Sequence, residues 1–129
     1  MIEKHYWKIK QAALNIDLCV VSKHHSIEEI QSYYDAGERI FAENRTAELV
    51  SKAAVLPKDI AWQYIGHLQR NKVKDILPVV SCIQSLDNIA LAKVIEKEAT
   101  KQNRKVDVLI ELHLADEDTN KSGLDPADV

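Results

Sequence analysis

Short apolar runs alternate with segments of helical periodicity along most of this chain of 129 residues. The runs are rich in β-branched residues, as buried strands are, and most are followed by a segment whose apolar residues recur at helical spacing. Strands that alternate with helices in this way are joined by right-handed crossovers and form a parallel sheet. We therefore predict a parallel sheet in chain order, with strands at residues 17–22, 39–43, 61–65, 81–85 and 106–115.

The ends of several helices are also marked in the sequence. Glu29 follows Ser26 at the spacing of a capping box, and Gly37 can end the helix that begins there. Asp87 is predicted to cap a long helix after the fourth strand. We expect further helices at residues 3–14, 45–54 and 70–76.

The fifth predicted strand distinguishes between the two folds that this order of elements allows, a doubly wound sheet and a (β/α)8 barrel. A central strand of a doubly wound sheet is covered on both faces and is apolar on both. Here the faces differ, with Val106, Val108, Ile110, Leu112 and Leu114 on one and Asp107, Leu109, Glu111 and His113 on the other. This pattern favours a barrel strand that is polar towards the lumen. The alternative is an edge strand with one solvated face.

The composition narrows the class of protein. Apolar residues make up 46% of the chain and charged residues 29%, which is typical of a globular domain. The net charge of −3 argues against nucleic acid as a partner. No apolar run approaches the roughly 18 residues that a membrane span needs, and the N-terminal segment lacks the apolar stretch of a secretory signal.

Cys19 and Cys82 lie in apolar runs at a spacing that fits no zinc or redox motif, so we expect buried, reduced thiols in a cytoplasmic protein.

Lys23 closes the first predicted strand, at the end where α/β folds place their active sites. A lysine in that position is partly desolvated, which favours the neutral amine that a Schiff base requires. The alternative is a lysine whose flexible stem carries its charge to the surface. Polar residues also follow the other predicted strands, at 43–45, 66–69, Ser85 and His113. The sequence therefore predicts a binding site at the carboxyl ends of the strands, centred on Lys23.

Four stretches resemble the YggS/PROSC family of pyridoxal phosphate-binding proteins, relatives of the N-terminal barrel domain of bacterial alanine racemases. They occur in the family's order and spacing, at residues 20–23, 35–45, 65–72 and 121–123. The resemblance implies a (β/α)8 TIM barrel of the alanine racemase N-terminal type. The chain would cover about its first five strands, as one partial-barrel domain over residues 1–129. Because family members are far longer, we expect the N-terminal portion of a longer protein or a truncated gene product.

The resemblance also implies roles for individual residues. Lys23 is expected to form a Schiff base with pyridoxal 5'-phosphate, and Asn44 to lie beside the cofactor. Ile65 and Gly66 are expected to shape the rim of the pocket, and Lys121 matches a lysine near the entrance of the site. The resemblance implies no catalytic residue, and we predict no metal site.

By the same resemblance, the chain is expected to act in intracellular pyridoxal phosphate homeostasis and to have no turnover of its own. Two other classes of function stay open: a Schiff-base enzyme of the racemase or aldolase type, with Glu111 or His113 as acid or base, and a truncated module without cofactor.

The sequence departs from the family pattern at Ala42, where Gly is usual, and at Gln63, where His is common. Since the chain has only isolated glycines for a phosphate, we expect weak cofactor binding or none. We also expect self-association through open sheet edges.

Overall fold

The computed structural model of the chain describes residues 2–114 and 123–129. Within them, strands alternate with helices as predicted, and no helix is long and apolar enough to cross a membrane. The strands are β1 (Val20–Val21), β2 (Ile40–Glu43), β3 (Ala61–Tyr64), β4 (Val80–Leu86) and β5 (Asp107–Ile110). The α-helices are α1 (Lys4–Ala12), α2 (Ile27–Asp35), α3 (Thr46–Val55), α4 (Val73–Ile76) and α5 (Ile89–Lys101), with 3-10 turns at Arg70–Lys72 and Pro126–Asp128.

The five strands form one parallel sheet, and their order across it is the order of the chain, β1-β2-β3-β4-β5. The predicted strand order is thus confirmed. A doubly wound sheet reverses its strand order at a switch point, and the sheet of the described residues has no such reversal. In register, Ala42 of β2 lies between Val21 of β1 and Gln63 of β3.

One face of the sheet carries the hydrophobic core. Phe41, Trp62 and Ile83 are buried on three successive strands. They belong to one cluster with buried residues of the crossover helices, among them Leu49, Ile76 and Leu91. Burial of a side chain of this size contributes about 1.5–3 kcal/mol, so this layer holds the helices against the sheet.

The opposite face of the sheet is more polar. Gln63 and Cys82 are register partners on this face, by alternation from the buried core residues. At β5, Asp107 pairs with Cys82, while Val108 pairs with the core residue Ile83. The apolar side of β5 therefore faces the helices, as the alternation in the sequence predicts.

Both edge strands are shorter than predicted. β1 comprises two residues where the sequence predicts 17–22, and β5 comprises four where it predicts 106–115. An edge strand has a partner on one side only, so its length depends on where that partner strand ends as well as on its own β-strand propensity.

The predicted burial of the two thiols is wrong for Cys19, which directly precedes β1 and is exposed, whereas Cys82 is half-buried. Both are free thiols.

The helix ends follow the predicted signals with one exception. The Ser26 hydroxyl accepts from the Glu29 N–H at 3.2 Å, and the Glu29 carboxylate accepts from the Ser26 N–H at 2.7 Å, which completes the capping box. Gly37 follows α2 with a φ of 111°, a left-handed conformation that suits glycine. The cap of α5 is Asn88 and not Asp87, because the Asn88 side chain accepts a backbone hydrogen bond from the first helical turn.

A buried carboxylate attaches α1 to the rest of the chain. Glu38, in the loop after α2, is 4% exposed and accepts a hydrogen bond from the Tyr6 hydroxyl. Its carboxylate also lies 2.7 Å from the Lys10 Nζ. Burial and the hydrogen bond to Glu38 raise the pKa of Tyr6 above its ordinary value. The helix that precedes β1 is thereby fixed beside the strand that leads to Lys23.

Candidate functional site

The carboxyl ends of the parallel strands lie along one edge of the sheet, and this edge carries the predicted site. Lys23 follows β1, Asn44 directly follows β2, and Ile65 and Gly66 directly follow β3. The structure thus brings four of the five predicted residues to one edge. Lys121, the fifth, lies outside the described residues.

Lys23 lies in a tight turn and is exposed to solvent. The turn is closed by a hydrogen bond of 3.1 Å from the His25 N–H to the Ser22 carbonyl oxygen. His24, within the turn, has a φ of 66°, which few residues other than glycine adopt. The predicted partial desolvation of Lys23 is wrong, because the residue lies in this turn beyond β1 and not within a longer strand.

Next to the turn lies a group of side chains that we call the Lys52 cluster, formed by Ser22, Glu43, Glu48 and Lys52. Ser22 is 2% exposed, Glu43 0% and Lys52 7%. The Lys52 Nζ lies 2.5 Å from the Glu43 Oε1 and donates to the Ser22 carbonyl oxygen at 2.8 Å. The Ser22 hydroxyl donates to the same Glu43 oxygen at 2.7 Å. The cluster therefore joins the ends of β1 and β2 to α3.

Glu48 lies one helical turn before Lys52 and belongs to the same cluster. Its carboxylate lies 3.4 Å from the Lys52 Nζ. Partial burial opposes ionisation of this carboxyl group, but the hydrogen bonds from Lys52 and His24 lower the pKa of Glu48 overall. Glu48 is therefore held in its charged form beside the turn.

Of the Lys52 cluster, only Glu43 lies in a polar group that the sequence predicts for the site, at residues 43–45; the burial of Glu43 and Lys52 and their pairing were not predicted. Oppositely charged residues four apart, such as Glu48 and Lys52, are frequent on exposed helix faces, so their spacing does not indicate burial. The signal that could have found them is positional. Lys52 lies three residues after Leu49, on the apolar side of α3, and Glu43 ends the otherwise apolar strand β2.

The segments after β2 and β3 approach each other closely at Gly66. A Cβ atom at Gly66 would lie 2.3 Å from the carbonyl oxygen of Asn44, so a side chain there would displace the backbone. The Tyr64 hydroxyl donates to that same oxygen at 3.2 Å. The Ile65 N–H donates to the carbonyl oxygen of Glu43 at 2.9 Å. These contacts fix the relative positions of Asn44, Ile65 and Gly66.

Three buried side-chain atoms near this edge find no hydrogen-bond partner within the described part of the chain. They are Glu43 Oε2, Asn44 Oδ1 and Ser85 Oγ. Buried polar atoms are normally satisfied, so orphaned atoms at one edge indicate a place where water or a ligand completes the bonding. Asn44 also lines a cavity of about 280 Å³, along with the basic residues Arg45 and Lys72, whereas Lys23 is not among its lining residues.

Gln63 and Ala42, the two departures from the family pattern, both lie beside the candidate site on β3 and β2. Ala42 is completely buried. The side-chain oxygen of Gln63 accepts a hydrogen bond from the side-chain amide of Gln84 on β4. Gln63 therefore has a polar partner on the neighbouring strand.

Loss of the Lys52 ammonium should destabilise the fold strongly. Lys52→Met leaves the Glu43 carboxylate buried without its counter-charge, so we expect the free energy of unfolding to fall by about 3–5 kcal/mol. The double variant Glu43→Leu, Lys52→Met removes both charges and should recover part of that loss. Urea unfolding followed by circular dichroism measures each change. A loss below about 1 kcal/mol for Lys52→Met would show that this pair behaves as an exposed one.

No protein-family model matches the chain. Among curated proteins, the pyridoxal phosphate homeostasis protein of Aquifex aeolicus is 42% identical over 100 residues, which are 77% of this chain and 43% of that protein. The pyridoxal phosphate homeostasis protein of Schizosaccharomyces pombe is 32% identical over 126 residues, 95% of this chain and 53% of that protein. The chain thus spans about half the length of these curated relatives.

Solved structures of the PipY protein are also similar to this chain. PipY of Synechococcus elongatus, determined without PLP, matches with a TM-score of 0.88 at 33% identity, over 96% of this chain and 59% of that chain. PipY with PLP bound matches with a TM-score of 0.82 at 30% identity, over 95% and 58%. By sequence and by fold, the chain therefore belongs to the family of pyridoxal phosphate homeostasis proteins, over the part of them that it spans.

Proposed function

We propose that this chain binds pyridoxal 5'-phosphate in the cytoplasm and takes part in its homeostasis, with the cofactor held covalently by the Lys23 amine. The observation that carries the proposal is the position of Lys23, an exposed amine in a tight turn at the carboxyl end of β1, next to the strand that leads to Asn44. When bound, the cofactor supplies an aldehyde carbon with which a primary amine condenses. The names of the curated relatives and the PLP-bound structure of PipY support the proposal.

The residues at this edge fit such a cofactor. Lys23 offers an exposed primary amine as the nucleophile. Asn44 Oδ1 is a buried acceptor that no donor of the described residues reaches, so it can accept a hydrogen bond from a ligand. The lack of a side chain at Gly66 lets the backbone after β3 pack closely against the backbone of Asn44, which keeps these two segments of the edge together.

Other residues would complete the pocket. We propose that Ile65 and Gly66 form part of its rim, since their backbone is fixed against the end of β2. Arg45 and Lys72, which line the cavity beside Asn44, contribute positive charge for an anionic ligand. The role of Lys121 near the entrance of the site rests on the sequence resemblance.

The fold and the class of protein are part of the same proposal. We propose that the sheet is the first part of a (β/α)8 barrel, with residues 1–129 as one partial-barrel domain and the polar sheet face towards the lumen. The strand order and the match to PipY support this arrangement.

The protein would carry the cofactor and have no catalytic turnover of its own. The free thiols of Cys19 and Cys82 are compatible with a reducing cytoplasm.

Incubation with pyridoxal phosphate followed by borohydride should label Lys23. The amine condenses with the aldehyde and water leaves, and hydride from borohydride then fixes the product as a stable secondary amine. Visible absorbance before reduction reports binding, and peptide mapping locates the label. Lys23→Arg keeps the positive charge but cannot condense, so it should abolish both signals. A label on Lys72 or Lys121, with Lys23 unmodified, would refute the assignment.

Residues 1–129 alone should bind pyridoxal phosphate weakly. A phosphate dianion needs several fixed donors, best supplied by backbone N–H groups and an Arg side chain. The three glycines of the chain, Gly37, Gly66 and Gly123, are isolated in separate segments and form no glycine-rich turn. Each missing charge-assisted hydrogen bond removes roughly 1.5–3 kcal/mol, so the dissociation constant should exceed that of full-length PipY by a few orders of magnitude. Absorbance titrations of both proteins in parallel provide the test. Equal affinities would place the phosphate site within these residues.

We also propose that a second copy of the chain covers an open edge of the sheet. Among the described strands, β5 pairs on one side only, and it exposes Val108, Leu109 and Ile110. Exposed apolar edge strands favour association. Sizing chromatography with light scattering should therefore show dimers or larger species that increase with concentration, and Leu109→Lys should shift them towards monomer. A monomer at every concentration would count against this proposal.

A further inference from the structure

We propose that the cavity between α1, β1 and α2 is a binding site for a small organic ammonium ion with an aromatic or apolar body. The cavity has a volume of about 320 Å³. It lies along the edge of β1 that has no partner strand in the described part of the chain. Neither Lys23 nor Asn44 lines it, so this site is separate from the proposed position of pyridoxal phosphate.

The inner wall of the cavity is apolar. Val20 of β1, Ile30 of α2 and Phe41 of β2 line it, and Ile30 and Phe41 are almost completely buried. Ile9 lines it from α1. Water gains little from contact with such a surface, so an apolar group that displaces the water is bound favourably. The volume equals that of about ten molecules of liquid water, which is enough for one aromatic ring with a short chain.

Two tyrosines add an aromatic wall. The rings of Tyr6 on α1 and Tyr33 on α2 meet edge to face, with their centroids 5.0 Å apart. The Tyr6 hydroxyl donates to the buried carboxylate of Glu38, which fixes this ring in place. The face of an aromatic ring carries partial negative charge and attracts cations. This wall therefore favours a ligand that carries a positive charge.

Two acidic residues also line the cavity. They are Glu3, directly before α1, and Glu29 of α2. The Glu29 carboxylate accepts from the Ser26 N–H at 2.7 Å, and this hydrogen bond lowers the pKa of Glu29. The Glu3 carboxylate has no hydrogen bond or ion pair with any residue that the structure describes. Glu3 is therefore free to pair with a cationic group of a ligand.

The lysines of α1 do not cancel this negative charge. The Lys10 Nζ is paired with the Glu38 carboxylate at 2.7 Å, and Lys4 and Lys8 are exposed residues that do not line the cavity. Apolar surface, ring faces and carboxylates thus occur together in one cavity. An ammonium ion on an apolar body matches all three, whereas an acidic ligand would be repelled by the carboxylates.

A matched set of small probes tests this chemistry on the cofactor-free protein. The probes are phenethylammonium, its uncharged analogue 2-phenylethanol, and the anion 3-phenylpropionate. His5 and His25 also line the cavity, so the probes are compared at pH 8, where imidazole is ordinarily neutral and a primary ammonium is ordinarily charged. The reporter is Cys19, a free, exposed thiol that lines the cavity, and the internal reference is the half-buried Cys82. Peptide mapping follows the rate at which iodoacetamide alkylates each thiol.

We expect phenethylammonium to protect Cys19 and not Cys82, with a dissociation constant of about 1 mM or below. At ten times that concentration, Cys19 should react roughly tenfold more slowly. The uncharged 2-phenylethanol should bind about tenfold more weakly, and 3-phenylpropionate should not protect at all. Equal protection by the charged and uncharged probes would overturn the proposal, as would the absence of protection.

Three variants test the carboxylates. Glu3→Gln and Glu29→Gln each remove one negative charge from the cavity, and glutamine at position 29 can still complete the capping box. Glu28→Gln is the matched control, because Glu28 is an exposed residue of the same helix that does not line the cavity. Each of the first two changes should weaken phenethylammonium binding roughly threefold, and both together about tenfold, while the control should leave it unchanged.

Unchanged affinity in the folded Glu3→Gln, Glu29→Gln double variant would refute the role of the carboxylates and with it the proposed ligand class. The same reporter also detects a different occupant. Protection of Cys19 that increases with protein concentration in the absence of any probe would show that a second copy of the chain covers the cavity, and would overturn the proposal. Labelling of Lys23 by pyridoxal phosphate and borohydride is measured separately, so failure of either proposal leaves the other open to its own test.

Discussion

The ion pair between Lys52 and Glu43 is the contact on which the carboxyl edge of the sheet depends. Two opposite charges are removed from water there, and either one alone would be strongly unfavourable. The pair is satisfied by further hydrogen bonds to the backbone and hydroxyl of Ser22. Because β1 contributes only two paired residues to the ladder, these side-chain bonds are a large part of what attaches the first strand to the second.

Much of the fold follows from local patterns, and these patterns predict it well. Strand order follows from the alternation of strands and helices, and the capping box at Ser26 follows from two residue types at one spacing. Local patterns fail where the outcome depends on distant partners. The ends of β1 and β5 are set by pairing with a single neighbour, and the choice of Asn88 over Asp87 as a cap is set by backbone direction.

The site is predictable in outline because parallel strands end at a common edge. Lys23, Asn44 and Gly66 could be placed there from the sequence, and the structure puts them there. The contacts around them could not be predicted. Lys52 comes from a helix and would ordinarily be a surface residue, and burial of its ammonium depends on a carboxylate from a strand nine residues earlier. The close approach at Gly66 is likewise a property of two segments and not of either one.

The bond between Lys52 and the carbonyl oxygen of Ser22 spans 30 residues of the chain. The ribosome synthesises the chain from the N-terminus to the C-terminus. The segment around Lys23 is therefore made before α3, which carries Lys52. Until α3 has emerged and docked, that segment has only its own short-range hydrogen bonds, and its amine is as mobile as any other on an unfolded chain. The fully ordered turn at Lys23 therefore requires α3 to have docked, and a growing polypeptide that lacks α3 would not yet present the amine in the way that the finished protein does.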